Sequence, residues 1–177
     1  MIATPVVGRA PSRPIRTILL AGLIAGSLDI TAAFIVYAPS APGSIRLLQY
    51  IASGLIGKAA LDGGLATALL GLVCHFFIAT SWAALYVAAS RRAGFLLVHP
   101  IVSGTGYGLI IYAVMNHLIV PLSAIGPRPF SLSAAIVAAV ILVFCVGVPI
   151  ALIARRGAAL FDDSREGEAS ELRHGTC

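Results

Sequence analysis

Residues 17–37 read TILLAGLIAGSLDITAAFIVY, a stretch of 21 residues in which Asp29 is the single charged side chain. A helix rises about 1.5 Å per residue, so this stretch is long enough to cross roughly 30 Å of hydrocarbon. Three further stretches of similar character follow, at 63–90, 101–121 and 132–154. The pattern predicts an all-α membrane protein with four transmembrane helices in a bundle.

The composition of the 177-residue chain agrees with this prediction. Hydrophobic residues make up 59% of the chain and charged residues 11%, whereas soluble domains carry about 25% charged residues. The mean hydropathy of +0.98 therefore indicates an apolar surface that faces lipid. The predicted partner of this protein is the lipid bilayer. The net charge of +5 does not indicate a nucleic-acid partner, because the cationic residues sit at the ends of the apolar stretches and form no stripe.

The distribution of lysine and arginine predicts the orientation. Nine cationic residues fall on one side of a four-pass chain and three on the other, and the richer side is normally cytoplasmic. The nine are Arg9, Arg13, Arg16, Arg91, Arg92, Arg155, Arg156, Arg165 and Arg173; the three are Arg46, Lys58 and Arg128. We therefore expect both termini in the cytoplasm, with 1–16 as an N-terminal segment, 17–156 as the transmembrane domain and 157–177 as a disordered cytoplasmic tail. The first apolar stretch is longer than the apolar region of a signal peptide, and we interpret it as a retained helix.

The external connection between helices 1 and 2 is too long for a simple turn. It opens with an elbow around Pro39 and Pro42, after which Ser44 is expected to cap an amphipathic helix through residue 60. Asp62 is placed to cap the next transmembrane helix. Two positions for the external helix stay open: on or partly within the membrane surface, with Arg46 and Lys58 reaching outward, or over the mouth of the bundle.

Two small-residue motifs indicate close helix contacts and an internal repeat. Helix 1 contains Gly22-xxx-Gly26 and helix 3 contains Gly104-xxx-Gly108, and a proline follows each second glycine after thirteen positions. This spacing is typical of two duplicated helix hairpins. Glycines at this spacing let helix backbones approach closely, and we expect the two motifs to pair with each other.

Polar residues inside the predicted spans are the candidate functional site. An ionised carboxylate at the depth of Asp29 costs several kcal/mol unless it is paired or hydrated. Its candidate partners are His75 in helix 2 and Asn116 and His117 in helix 3. This group could relay a proton or cation or contact a polar substrate; the alternative is a set of interhelical hydrogen bonds that fixes packing.

No cofactor or metal site is predicted. Bis-histidine haem ligation is disfavoured because His75 and His117 differ in predicted depth by about 12 Å. The sequence contains no GxSxG, HExxH or phosphate-binding glycine loop, which favours a non-enzymatic role. Cys74 and Cys145 lie in predicted spans and Cys177 ends the chain, an arrangement that does not suit a disulfide framework.

Three segments, GLIAGSLDITAAF at 22–34, HFFIA at 75–79 and YAVMNHLIVPLS at 112–123, resemble small four-pass bacterial inner-membrane proteins of uncharacterised function. The resemblance covers residues 16–156 and implies the topology and an envelope location, with no reaction or ligand. Our leading hypothesis is a non-enzymatic inner-membrane protein, as an accessory of a membrane complex or part of a stress response. The alternative is a small homo-oligomeric proton- or cation-linked transporter that uses Asp29 with His75 and Asn116.

Overall fold

The computed structural model describes residues 13–37, 43–127 and 129–159, and within these ranges the regular structure is entirely helical. Six helices follow one another: α1 Arg13–Tyr37, α2 Ser44–Ile56, α3 Gly64–Ser90, α4 Phe95–Val98, α5 Pro100–Leu122 and α6 Leu132–Ala159. A 3-10 segment, Gly57–Asp62, joins α2 to α3. Helices α1, α3, α5 and α6 are long and apolar enough to cross a membrane, which confirms the four predicted spans.

Several expectations concern residues outside the described ranges. These are residues 1–12, the proline elbow at 38–42, Arg128 and residues 160–177 of the predicted tail. The start of that tail is described, and there α6 continues to Ala159 rather than ending near residue 154. Gly157 lies against Thr17, so the end of α6 contacts the start of α1.

The interior between the long helices is rich in alanine, together with the fully buried Tyr86, Ile111 and Ile150, and many other large apolar residues point outward. Ala21, Ala25 and Ala83 have no exposed surface and belong to a core that also takes residues from α5 and α6. Leu65 and Phe77 on α3, by contrast, are 75% and 72% exposed. Small residues inside and large apolar residues outside are typical of helices that pack in lipid, where the outward surface needs no water.

Helices α5 and α6 cross at backbone contact. A Cβ added to Gly108 would lie 2.6 Å from the Cα of Val143, and one added to Gly104 would lie 2.8 Å from the Cα of Val148. Gly147 on α6 faces both glycines, and its own added Cβ would clash with the Gly104 carbonyl oxygen. Only glycine fits these three positions without separating the helices.

Helices α1 and α3 form the equivalent pair. An added Cβ at Gly22 would lie 2.7 Å from the Cα of Thr80, and one at Gly26 would lie 2.9 Å from the ring of Phe76. The expectation that the two glycine motifs pair with each other is therefore wrong, because each packs on the second long helix of its own pair. Each pair therefore uses its own glycine motif, although Gly26 faces side chains whereas Gly104 and Gly108 face backbone; the duplication stays a prediction.

Helix α2 lies against α3 and does not use the predicted caps. Gly43 and Gly63 occupy the cap positions of α2 and α3, and neither helix has a side-chain cap hydrogen bond, so the caps predicted for Ser44 and Asp62 are wrong. The contact between α2 and α3 is extensive and includes small and polar residues. Gln49 Nε2 donates to the Gly64 carbonyl oxygen at 2.9 Å, and Gly71 has no room for a side chain against the Leu48 carbonyl.

Two π-helical segments interrupt the long helices, Met115–Ile119 in α5 and Leu142–Gly147 in α6. Each ends two residues before a proline, Pro121 or Pro149. Proline cannot donate to the carbonyl four residues back, and its ring crowds that carbonyl. A wider turn relieves the crowding, and such turns often occur at functional sites.

Candidate functional site

A cavity of about 730 Å³ lies between the long helices, close to the ends where α1 stops and α3 begins. It has the size of a site for a small organic molecule. Every long helix contributes to its wall, together with α2 and the connection before α6. The lining residues are Asp29, Ile30, Ala33, Tyr37, Leu47, Tyr50, Ile51, His75, Tyr112, Asn116, His117, Val120, Pro121, Pro127, Pro129, Phe130, Ser131, Ala134, Ala135 and Ala138.

The cavity reaches well into the predicted membrane span. Asp29 lies eight residues before Tyr37, the last residue of α1, which corresponds to a depth of about 12 Å. His75 lies eleven residues after Gly64, the first residue of α3, at a depth of about 16 Å. The carboxylate and the imidazole therefore form the base of the cavity, near the middle of a hydrocarbon layer of roughly 30 Å.

Asp29 and His75 form the central pair. His75 Nδ1 lies 4.0 Å from Asp29 Oδ2, and the two side chains are only 11% and 22% exposed. The other ring nitrogen, Nε2, lies 2.8 Å from the Gly26 carbonyl oxygen. A carbonyl only accepts hydrogen bonds, so Nε2 carries a hydrogen and Nδ1 is the nitrogen that can gain or lose a proton. The titratable side of the imidazole faces the carboxylate.

The π-helical segment of α5 brings the second group of polar residues to the cavity wall. Asn116 Nδ2 donates to the Tyr112 carbonyl oxygen at 3.1 Å, which leaves the amide oxygen of Asn116 available as an acceptor. The ring of His117 meets the ring of Tyr112 edge-on, with centroids 6.1 Å apart. Tyr112 also lines the cavity, so one turn of α5 supplies an amide, an imidazole and an aromatic face.

Helix α2 covers the outer part of the cavity. Its Leu47 and Ile51 line the cavity, while Leu55 is 66% exposed on the outside. The Ala124 backbone N–H donates to the Gly54 carbonyl oxygen at 3.1 Å, which ties α2 to the connection that follows α5. These contacts favour the second of the two predicted positions, over the mouth of the helices.

The opposite half of the molecule is closed by packing and by hydrogen bonds. Tyr107 Oη donates to the Trp82 carbonyl oxygen at 2.6 Å, and Tyr86 Oη lies 2.8 Å from Ser103 Oγ. The rings of Tyr86 and Tyr107 are in edge-on contact at 4.9 Å. Below Asp29 and His75, the helices are therefore held together by close aromatic and alanine contacts.

All four polar residues predicted from the sequence line the same cavity. Asp29 and His75 approach each other from two helices, whereas Asn116 and His117 contact residues of their own helix. Tyr112 and Phe130 are wall residues that the sequence did not indicate, because an aromatic residue gives no separate signal in an apolar stretch or in the connection before one. Within 13–37, 43–127 and 129–159, no group of three or more His, Cys, Asp or Glu side chains is placed to hold a metal ion.

Comparison with known proteins gives no family assignment for this arrangement. No family model matches the sequence, and neither a curated protein nor a solved structure matches the chain.

Proposed function

We propose that this protein is a small membrane transporter that couples the movement of a solute to a proton held by Asp29 and His75. The observation that carries the proposal is the position of these two side chains at the base of a cavity of about 730 Å³, together with Asn116 and His117 on its wall. A purely structural hydrogen bond between helices needs no cavity beside it. A binding site for a solute does.

The geometry of the pair suits proton handling. Because Nε2 of His75 is committed to the Gly26 carbonyl, a proton taken up by the imidazole goes to Nδ1, beside Asp29. One proton can then reside either on the carboxyl or on the imidazole. A solute that binds more tightly when the pair holds this proton recruits the proton, and a solute that binds more tightly without it displaces the proton. This linkage is the physical basis for coupling solute movement to proton movement.

The closed inner half supports a transport cycle with alternating access. The cavity extends from the helix ends to Asp29, and below it Ala21, Ala25 and Ala83 pack without exposed surface. This arrangement corresponds to one end state of a transporter. A second state would close the outer mouth and open the inner half.

The orientation and location are part of the proposal. The division of nine cationic residues against three supports a four-helix bundle with both termini in the cytoplasm, and the cavity would then open to the outside. The resemblance to four-pass bacterial proteins supports the inner membrane. We further propose a homo-oligomer, in which large apolar residues such as Leu65 and Phe77, exposed on the surface of one copy, pack against a second copy in place of lipid.

Flux measurements in proteoliposomes test the proposal. Vesicles with an entrapped pH-sensitive dye receive amino acids, sugars, organic cations or organic anions, and the internal pH is followed. We expect the wild type to respond to at least one class, Asp29→Asn to lose that response, and Asp62→Asn to keep it because Asp62 is exposed outside the cavity. A wild type without any response, as the accessory-protein hypothesis predicts, would overturn transport. A full response in Asp29→Asn would overturn the assigned site.

A further inference from the structure

The charge of the cavity restricts what it can bind. Asp29 is the one carboxylate among its lining residues, and the described lining contains no lysine or arginine. An anion at the base of the cavity would lie beside a carboxylate at a depth where water screens charges poorly. A positively charged group would replace the attraction that His75 provides in the empty cavity.

The remaining wall suits an organic rather than an inorganic cation. Twelve of the twenty lining residues are apolar, among them Phe130, and Tyr112 provides a further aromatic face. Aromatic faces attract ammonium groups, and apolar walls bind hydrocarbon. An inorganic cation needs a shell of oxygen ligands instead. Here Asp29 is the one carboxylate of the lining, and the other side-chain oxygens are the amide of Asn116 and the hydroxyls of Ser131 and three tyrosines.

Resting on the proposed function, we infer that the solute is a monovalent organic cation, an amine or a quaternary ammonium ion with an apolar body, which is exchanged for a proton. The cationic group binds the Asp29 carboxylate, and the apolar body lies against Tyr112 and Phe130. The proton that Asp29 and His75 hold together leaves to water as the cation binds. One positive charge enters the site and one leaves, so the net charge of the site is unchanged.

The groups around Asp29 support a single exchanged proton. His75 on α3 lies 4.0 Å from Asp29, and the Asp29 charge also acts on the Cys145 thiol on α6. Other titratable lining residues come from three helices: Tyr37 from α1, Tyr50 from α2, and Tyr112 and His117 from α5. An imidazole is the side chain that ordinarily changes charge near neutral pH, and within this set His75 is the imidazole that contacts the Asp29 carboxylate.

A calorimetric titration of the full chain in lipid nanodiscs tests the inference. The probes are benzyltrimethylammonium and benzylsulfonate, which share a benzyl group and carry opposite charges. We expect saturable binding of the cation and at least about tenfold weaker binding of the sulfonate. Titrations in buffers of different ionisation enthalpy should show release of about one proton per bound cation, whichever member of the pair holds it beforehand.

Three variants complete the test. Asp29→Asn should weaken cation binding at least about tenfold and abolish proton release, whereas Asp62→Asn should change neither. Ala134→Phe keeps the carboxylate but fills part of the cavity, so we expect weaker binding with proton release unchanged for each cation still bound. Because Asn is nearly isosteric with Asp, we expect Asp29→Asn to fold. An unchanged Trp82 fluorescence spectrum would verify this.

Other results would overturn the inference without removing the proposed function. These are no saturable cation binding, sulfonate binding as tight as cation binding, or cation binding that Asp29→Asn leaves unchanged. If proteoliposome flux with another solute class still depends on Asp29, the protein remains a proton-coupled transporter and the assigned solute class is wrong. Loss of flux with every class would overturn both.

Discussion

The interaction between Asp29 and His75 can be measured by a double-mutant cycle. Asp29→Asn removes the charge with little change in shape, and His75→Gln keeps an N–H that can still donate to the Gly26 carbonyl. The cycle compares both single variants with the double variant, and the free energy that fails to add belongs to the pair. If the two side chains interact as their geometry indicates, the single effects should not be additive.

The expected size follows from the separation. Two unit charges 4.0 Å apart attract by about 4 kcal/mol at an effective dielectric constant of about 20, and by about 1 kcal/mol in bulk water. Both side chains are mostly buried, with 11% and 22% of their surfaces exposed, so neither limit applies fully. We expect a coupling free energy of about 1–3 kcal/mol at neutral pH, and less in acid, where a protonated carboxyl no longer attracts an imidazolium.

The assay is reversible unfolding in mixed micelles, followed through Trp82, the only tryptophan of the chain. A control cycle pairs Asp29→Asn with His99→Gln, since His99 precedes α5 at the opposite end from the cavity. The control should be additive within about 0.5 kcal/mol. If the Asp29–His75 cycle is equally additive at neutral pH, the two groups do not share a charge and the proton-handling argument fails.

Three further predictions concern packing and orientation. Gly147→Ala should lower the unfolding free energy by about 1–3 kcal/mol, because the added Cβ meets the backbone of α5. The control Gly106→Ala has open space around its added Cβ and should be neutral or stabilising by up to about 1 kcal/mol. Equal effects of the two variants in the same micelle assay would contradict the close crossing of α5 and α6. Tyr107→Phe should cost about 1 kcal/mol through loss of the hydrogen bond to Trp82, with a shift in tryptophan emission; an unchanged spectrum and stability would argue against that bond. A C-terminal green fluorescent protein fusion should be fluorescent and an alkaline phosphatase fusion inactive, and the reverse result would refute a cytoplasmic C-terminus.

The long helices were predictable from the sequence because one physical quantity, the apolar length needed to cross hydrocarbon, decides them. The polar residues stood out for a related reason: Asp29 and His75 are expensive in lipid wherever the fold places them. Both signals are local. Neither depends on knowing which helices are neighbours.

Features that depend on neighbours were not predictable in the same way. In the sequence, Gly104 and Gly108 indicate that another helix backbone comes close, but any helix with a matching groove could be that partner. In the structure the partner helix is α6, which places Gly147 against both glycines. The cavity also depends on which helices are neighbours, because Ala134 becomes a wall residue only when α6 lies beside α1 and α5. The π-helical segments left a local trace in Pro121 and Pro149, although a proline alone does not distinguish a kink from a widened turn.

The two glycine crossings have a consequence for how this molecule can move. Helix backbones are in close contact at Gly22 and at the crossing of Gly104, Gly108 and Gly147. Sliding α1 against α3, or α5 against α6, would cause steric clash there, so we expect each pair to move as a rigid unit. Asp29 and His75 belong to the α1–α3 pair, and Asn116 and His117 belong to the α5–α6 pair. In the proposed transport cycle, rotating the two pairs apart to open the closed end would change the distance between these two sets of side chains. The movement that opens an exit would then also weaken the binding of a solute between them.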